Sequence, residues 1–246
     1  MKKIRLFCFP YAGGSAMVYN PWQNNLDKSI RLHPVELAGR GRRITDPFYN
    51  TIEEAADDVI QHIKYHLGDL PYAFFGHSMG ALIAYYAAQK IREKRYPGPA
   101  HIFFSGRGAP HIRRDDKEPY HTLPHDEFRD KVLKLGGTPR ELFEHPELME
   151  ILLPLLRNDF KLAWSYKHNH YFEPLDCDIS VMVGKDEDLK PEQVEEWDRH
   201  SKARCLQYTF EGGHFFINDP AEKEKMLTII NNTLVELAVV TLRNCA

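Results

Sequence analysis

The chain has 246 residues, 43% of them hydrophobic, with 32 Lys and Arg against 35 Asp and Glu and a formal charge of -3. That length accommodates one α/β domain with an insertion and a substantial core. A balance so near neutral argues against nucleic acid as the main partner, and no apolar run reaches the roughly 18 residues needed to span a membrane.

From the first residue, Met1-Lys2-Lys3-Ile4-Arg5-Leu6-Phe7-Cys8-Phe9-Pro10 faintly imitates a signal peptide, but Arg5 and Pro10 interrupt it too early. It reads instead as a first strand, Ile4–Phe9. Further strands are expected at Leu32–Leu37, Tyr72–Phe75, His101–Ser105, Ser180–Val183 and Leu206–Phe210, short runs of the kind buried on both faces of a sheet. Between the second and third lies an amphipathic helix. Thr51 is its N-cap and Glu54 completes a capping box. Ile52, Ala55, Ala56, Val59, Ile60, Ile63 and Leu67 recur at helical spacing. A helix from Ala81 to Arg92 follows the third strand, and another, Ala221 to about Ala238, ends the series. This alternation predicts an α/β fold built on a mostly parallel, doubly wound sheet.

The segment from about 110 to 172 breaks the alternation. Helical stretches are expected at Pro124–Leu135, Pro139–Phe143, Pro146–Leu153 and Leu155–Tyr166, with no strand among them. Such an insertion would sit over the strand ends, where open α/β sheets bind ligands, and it reads as a helical lid on one domain spanning 1–246. Its apolar residues, Phe128, Leu156, Phe160 and Trp164 among them, mostly hold it together; some would line an acyl channel.

The most informative stretch is Gly76-His77-Ser78-Met79-Gly80, set between an expected strand and an expected helix. In that context Gly-x-Ser-x-Gly is a nucleophile elbow, with the serine hydroxyl standing above the sheet. A serine needs a base. His214, in Glu211-Gly212-Gly213-His214-Phe215-Phe216, follows the last expected strand on a glycine-loosened loop and is the best candidate among thirteen histidines. The acid should follow the strand before it, in Gly184-Lys185-Asp186-Glu187-Asp188, which gives the chain order serine, acid, histidine. Met79 would give one backbone N–H of the oxyanion hole and Ala12 the other, with Tyr11 as the alternative, from the loop Pro10-Tyr11-Ala12-Gly13-Gly14-Ser15. That loop lacks the Gly-Lys-Ser/Thr ending and the Gly-x-Gly-x-x-Gly spacing of phosphate-binding turns.

In sum the chain resembles the type II thioesterases that accompany nonribosomal peptide and polyketide synthases, relatives of the medium-chain fatty-acyl thioesterases. The resemblance rests on Phe9-Pro10-Tyr11-Ala12-Gly13-Gly14, Leu37-Ala38-Gly39-Arg40-Gly41, Phe75-Gly76-His77-Ser78-Met79-Gly80, Leu135-Gly136-Gly137-Thr138-Pro139, Pro154-Leu155-Leu156-Arg157-Asn158-Asp159-Phe160 and Gly212-Gly213-His214-Phe215. It implies an α/β-hydrolase fold, hydrolysis of acyl groups from the phosphopantetheine arm of acyl or peptidyl carrier proteins, and regeneration of their thiols in antibiotic biosynthesis. A general carboxylesterase and a non-catalytic binding homologue are the rival readings. Members of the family often place the acid three residues after the strand-end glycine, which is Glu187 here. Counting back from Pro191 and Trp197 favours Asp186, with Asp188 the alternative and Glu187 a further candidate.

The remaining expectations concern surroundings. Arg40, Arg42, Arg43, Arg107, Arg113 and Arg114 fall in expected loops, either as solvated charge or as attraction for an acidic carrier protein. The pairs His62/His66 and His168/His170 lack a metal-site pattern, so no metal and no cofactor are expected. The four scattered cysteines, Cys8, Cys177, Cys205 and Cys245, suit a cytoplasmic protein, expected to be a monomer.

Overall fold

The computed structural model describes residues 3–112, 119–137, 145–169 and 171–244. Six strands form one parallel sheet: β1 (Ile4–Phe9), β2 (Ile30–Pro34), β3 (Tyr72–His77), β4 (His101–Ser105), β5 (Asp178–Gly184) and β6 (Cys205–Phe210), in the spatial order β2-β1-β3-β4-β5-β6. Alternate residues of each strand feed two cores. Phe7, Phe9, Phe74, Ile102, Phe104, Ile179 and Val181 enter one. Ile4, Leu6, Cys8, Ala73, Phe75, Phe103 and Met182 enter the other. Period-two side chains with both faces covered explain why these strands read as continuous apolar runs.

Helices α1 (Ile52–Ile63) and α2 (Met79–Glu93) cover the first face. A 3-10 segment (Ala16–Asn24) and α6 (Pro220–Asn244) cover the second. Thr51 caps α1 by accepting from the Glu54 amide at 3.2 Å. The Glu54 carboxylate reaches back one residue further than a capping box requires and accepts from the Asn50 amide at 2.7 Å. Leu67 falls outside α1, beyond a single 3-10 turn. Strand β2 begins two residues before the expected run, in register Ile4↔Ile30 to Cys8↔Pro34. Val35 and Leu37 lie beyond the strand and are buried in the loop that follows, with the Val35 amide still donating to the Cys8 carbonyl at 2.9 Å.

Between β4 and β5 the described residues hold α3 (His125–Leu135) and α4 (Pro146–Ser165) and no strand. The sequence suggested two helices where α4 is one, with Pro154 inside it. A proline forfeits an amide bond and strains the preceding turn, yet Met149 on one side and Leu155, Leu156 and Leu162 on the other are all buried, and that packing carries the helix through. The expected helix at Pro139–Phe143 lies outside the described residues. A short helix, α5 (Pro191–Glu195), follows β5.

The strand order reverses between β1 and β3. Open α/β sheets bind ligands at such a switch point, beyond the carboxyl ends of the strands. The loop after β1 and the turn after β3 therefore meet there.

Candidate active site

Ser78 occupies the turn between β3 and α2 with φ 55° and ψ -113°, a left-handed conformation that costs a non-glycine residue on the order of 1–3 kcal/mol. Its neighbours show why the turn tolerates no side chain on either flank. A Cβ on Gly76 would stand 2.2 Å from the Gly80 carbonyl oxygen, and one on Gly80 would stand 2.1 Å from that of Phe9. The Ser78 amide extends the β3–β4 ladder by donating to the Ser105 carbonyl at 2.8 Å. The hydroxyl is thus fixed on a central strand at the N-terminus of α2, whose first amide, that of Met79, has no acceptor within the helix.

His214 arrives on the loop after β6 and shares a cavity of about 90 Å³ with Ser78. Its Nδ1 faces a carboxylate oxygen at 2.5 Å, and that carboxylate belongs to Glu187. The expected acid, Asp186, does not make this contact, and neither does Asp188; both side chains are exposed. The reason is the turn leaving β5. Its end glycine, Gly184, accepts from the Glu187 amide at 3.2 Å while its own amide donates to the Glu187 carboxylate at 3.2 Å. This folds residue 187 back over the strand end. Asp186 is held by its main chain instead, its amide donating to the Gly212 carbonyl at 3.0 Å. The Glu187 side chain is only 6% exposed and that of His214 15%, so the contact is largely shielded from water.

Behind His214 lies His77, completely buried, its ring centroid 4.9 Å away and its Nδ1 2.9 Å from Ser105 Oγ. Burial, helped by the adjacent His214, holds its pKa well below the ordinary histidine value. His77 therefore stays neutral and does not compete when His214 takes a proton.

The glycine loop after β1 completes the site. The Gly14 amide donates to the Tyr11 carbonyl at 2.9 Å and the Gly13 amide to Asp159 Oδ2 at 2.8 Å. Those two amides are committed, whereas Ala12 lines the cavity beside Ser78. Leu156, Phe160 and Trp164 of α4, with Val132 and Leu135 of α3, form the apolar wall. On its other side His214 borders a wider groove of about 820 Å³, with Lys131, Lys134, Glu211 and Gly213 in its walls.

Other expectations resolve differently. Arg40 is buried against Asp159, with Nη1–Oδ2 at 2.7 Å. Arg43 pairs with Asp46 and Asp58. Arg107 is buried, donating to the Ala163 carbonyl. None of these three is solvated charge at the site mouth. Arg42 is exposed, and Arg113 and Arg114 lie outside the described residues. His62 packs its Nδ1 on the Asp58 carbonyl, and His66 lies against His33 instead. Among the described residues no group of three or more His, Cys, Asp or Glu is arranged to hold a metal ion, and no helix is long and apolar enough to cross a membrane. Asp159 lies within the stretch 154–160, where no sequence pattern marks it as a functional residue. Its place inside an apolar helical run was the available signal, because an isolated carboxylate there needs a buried partner.

A serine on an elbow, an imidazole backed by a carboxylate and a parallel sheet that brings them to one edge define a hydrolase of the α/β type. The family model described as the thioesterase domain matches residues 4–234, and the chain belongs to that family. It is similar to the linear gramicidin dehydrogenase LgrE of Brevibacillus parabrevis, 39% identical over 94% of this chain and 88% of that protein. It is also similar to the gramicidin S biosynthesis protein GrsT of Aneurinibacillus migulanus, 38% identical over 87% of this chain and 83% of that one. The first of those names is an oxidoreductase's, but the loop after β1 here has no dinucleotide fingerprint. Among solved structures, ClbQ from the colibactin NRPS/PKS pathway superimposes with a TM-score of 0.90 at 33% identity, covering 97% of this chain and all of that one. The chain is accordingly a thioester hydrolase, akin to the type II thioesterases of such pathways.

Proposed function

We propose that this protein removes acyl or aminoacyl groups from the phosphopantetheine arm of carrier-protein domains in a nonribosomal peptide or polyketide synthase, clearing stalled or wrongly primed modules. The observation that carries the reading is the Ser78–His214–Glu187 arrangement opening onto an apolar cavity on one side and a wide groove on the other. The cavity suits the acyl group, the groove the arm. Helices α3 and α4 act as a lid.

In this mechanism Glu187 holds the Nδ1 proton of His214, leaving Nε2 free as a base. His214 takes the proton of Ser78 Oγ, and Oγ adds to the thioester carbonyl. The oxyanion is met by the amides of Met79 and Ala12. As the tetrahedral centre collapses the C–S bond breaks, and the imidazolium returns its proton to the departing sulfur. A thiol with an ordinary pKa of about 8.5 leaves with little assistance. Water then enters, His214 accepts its proton, hydroxide adds to the acyl-serine, and the carboxylic acid departs as Ser78 Oγ is reprotonated. The reaction so written uses no cofactor. The same groups would cleave an oxygen ester, so the apolar wall and the carrier must supply the choice.

The test is a panel of acyl-loaded carrier proteins, with release of free thiol followed in time, beside simple oxygen esters of the same acids. Preference for the carrier thioesters by at least about tenfold in kcat/KM supports the proposal. Equal or greater turnover of the oxygen esters would make the protein a general esterase. Ser78→Ala should abolish both turnover and labelling by a fluorophosphonate.

A further inference from the structure

One buried ion pair stands beside the site and takes no part in the reaction as written. The Asp159 side chain, on α4, is fully buried and that of Arg40 is 3% exposed. The Asp159 carboxylate accepts from Arg40 Nη1 at 2.7 Å, from Arg40 Nη2 at 2.8 Å and from the Gly13 amide at 2.8 Å. Arg40 also donates to the Gly14 carbonyl at 3.1 Å and to the Ala38 carbonyl at 3.3 Å. Two consecutive residues after Ala12 are thus gripped from opposite ends of the pair, one by its amide and one by its carbonyl. Helix α4 also leans on the same turn: a Cβ on Gly13, whose φ is +77°, would stand 2.4 Å from Leu156 Cδ2.

A buried ion pair is a costly fastener. Desolvating both charges commonly offsets their attraction, and well-packed apolar residues of similar volume hold elements together at least as well. What an apolar pair cannot do is orient a peptide unit. Directed hydrogen bonds to the Gly13 amide and Gly14 carbonyl do so, and the Gly14 amide closes the turn on the Tyr11 carbonyl.

We propose that Arg40 and Asp159 are positioning residues that set the peptide geometry of the oxyanion loop and make it depend on the seating of α4. When α4 is seated, its carboxylate fixes the Ala12–Gly13 peptide and the Ala12 amide is poised for the developing alkoxide. When α4 moves out, it takes Asp159 with it and the loop loses its anchor. The proposal rests on the reading of the Ala12 amide as an oxyanion donor.

The test compares the intact enzyme with Asp159→Asn and with the double substitution Arg40→Met and Asp159→Leu. The double variant removes both buried charges together and so avoids stranding one. Turnover of an acyl-pantetheine thioester is measured per site labelled by a fluorophosphonate. Inhibition by an acyl trifluoromethyl ketone is measured alongside, because Ser78 adds to it and leaves an oxyanion. The expected result is a fall of about 10²-fold in kcat per labelled site, a comparable loss of ketone affinity, and a change in KM below about threefold. Wild-type kcat per labelled site in the double variant would overturn the proposal, as would a loss confined to KM. A third measurement needs no variant: in the unmodified enzyme the Gly13 amide should exchange its hydrogen on the timescale of the α4 amides. Rapid exchange at Gly13 beside a protected α4 would equally overturn it. Activity surviving in Ser78→Ala would instead defeat the reading of the nucleophile, whatever the pair does.

Discussion

Replacing Glu187 by Gln removes one charge and almost no volume, and it separates the candidate acids cleanly. In the enzyme the carboxylate stands 2.5 Å from His214 Nδ1, with the two side chains 6% and 15% exposed. Charges about 4 Å apart, at the effective dielectric of about 20 that suits such sites, interact by roughly 4 kcal/mol. In the mechanism proposed above, that interaction develops as His214 takes the proton of Ser78. At about 1.4 kcal/mol per factor of ten, its loss predicts a fall in kcat of about 10³-fold. KM for an acyl-pantetheine thioester should hardly change, because Glu187 sits behind His214 and is not asked to bind the acyl group. Asp186→Asn and Asp188→Asn, whose side chains are exposed, should stay within about threefold of wild type. Steady-state kinetics on all three purified variants, with thermal melting to confirm folding, makes the comparison. If Asp186→Asn lost as much as Glu187→Gln, or if Glu187→Gln kept more than about a tenth of kcat, the electrostatic argument would be refuted.

Gly80→Ala should destabilise the protein by about 3 kcal/mol or more, read as a lowered thermal midpoint, because its Cβ would meet the Phe9 carbonyl oxygen at 2.1 Å. Widening the apolar wall by Phe160→Ala should shift preference toward bulkier acyl groups by on the order of tenfold in kcat/KM, measured across a series of acyl-pantetheine thioesters. Charge reversal of Lys131 and Lys134, both exposed at the groove, should raise KM for carrier-bound acyl groups severalfold and leave small free thioesters unchanged; equal loss on both would exclude contact with the carrier. Stability should fall as pH drops from about 6.5 to about 4. Burial holds His101, bonded to Ser180 Oγ, at a pKa of about 4, so in that window the unfolded chain binds the extra proton and the folded one does not, a loss of up to about 3 kcal/mol from this residue. His101→Gln should flatten the dependence of the melting midpoint on pH; an unchanged slope would show that other groups carry it.

Much of the scaffold was readable because its signals are local. Strands β1 and β4 sit where their apolar runs predict, and α1 begins directly after its cap, Thr51. The elbow was readable because steric necessity writes two glycines around Ser78. Which carboxylate would face His214 was not, since three acidic residues stand in a row and the choice depends on how the turn after Gly184 curls, a matter of one residue in register. Counting from the strand-end glycine lands on Glu187, the carboxylate that contacts His214, whereas counting back from Pro191 and Trp197 lands on Asp186, whose side chain is exposed. Arg40 looked like solvated charge because an isolated arginine in a loop usually is. Its partner lies 119 residues away, a distance over which sequence pattern has no periodicity to offer.

Strands β4 and β5 are immediate neighbours, paired from His101↔Asp178 to Ser105↔Met182. Because the two run parallel, the long excursion between them departs at the carboxyl end of β4 and must cross back to the opposite edge before β5 begins; the stretch after α4 makes that return along α2, where Tyr86 and Gln89 donate to the Lys167 and Glu173 carbonyls. A chain built this way can exchange the part of the excursion that lies over the strand ends, altering which molecules are admitted while the crossover and the reacting groups stay where they are. Asp159 limits that freedom: any replacement must still deliver one negative charge to Arg40 and the turn beside it, or leave a lone cation sealed in the interior.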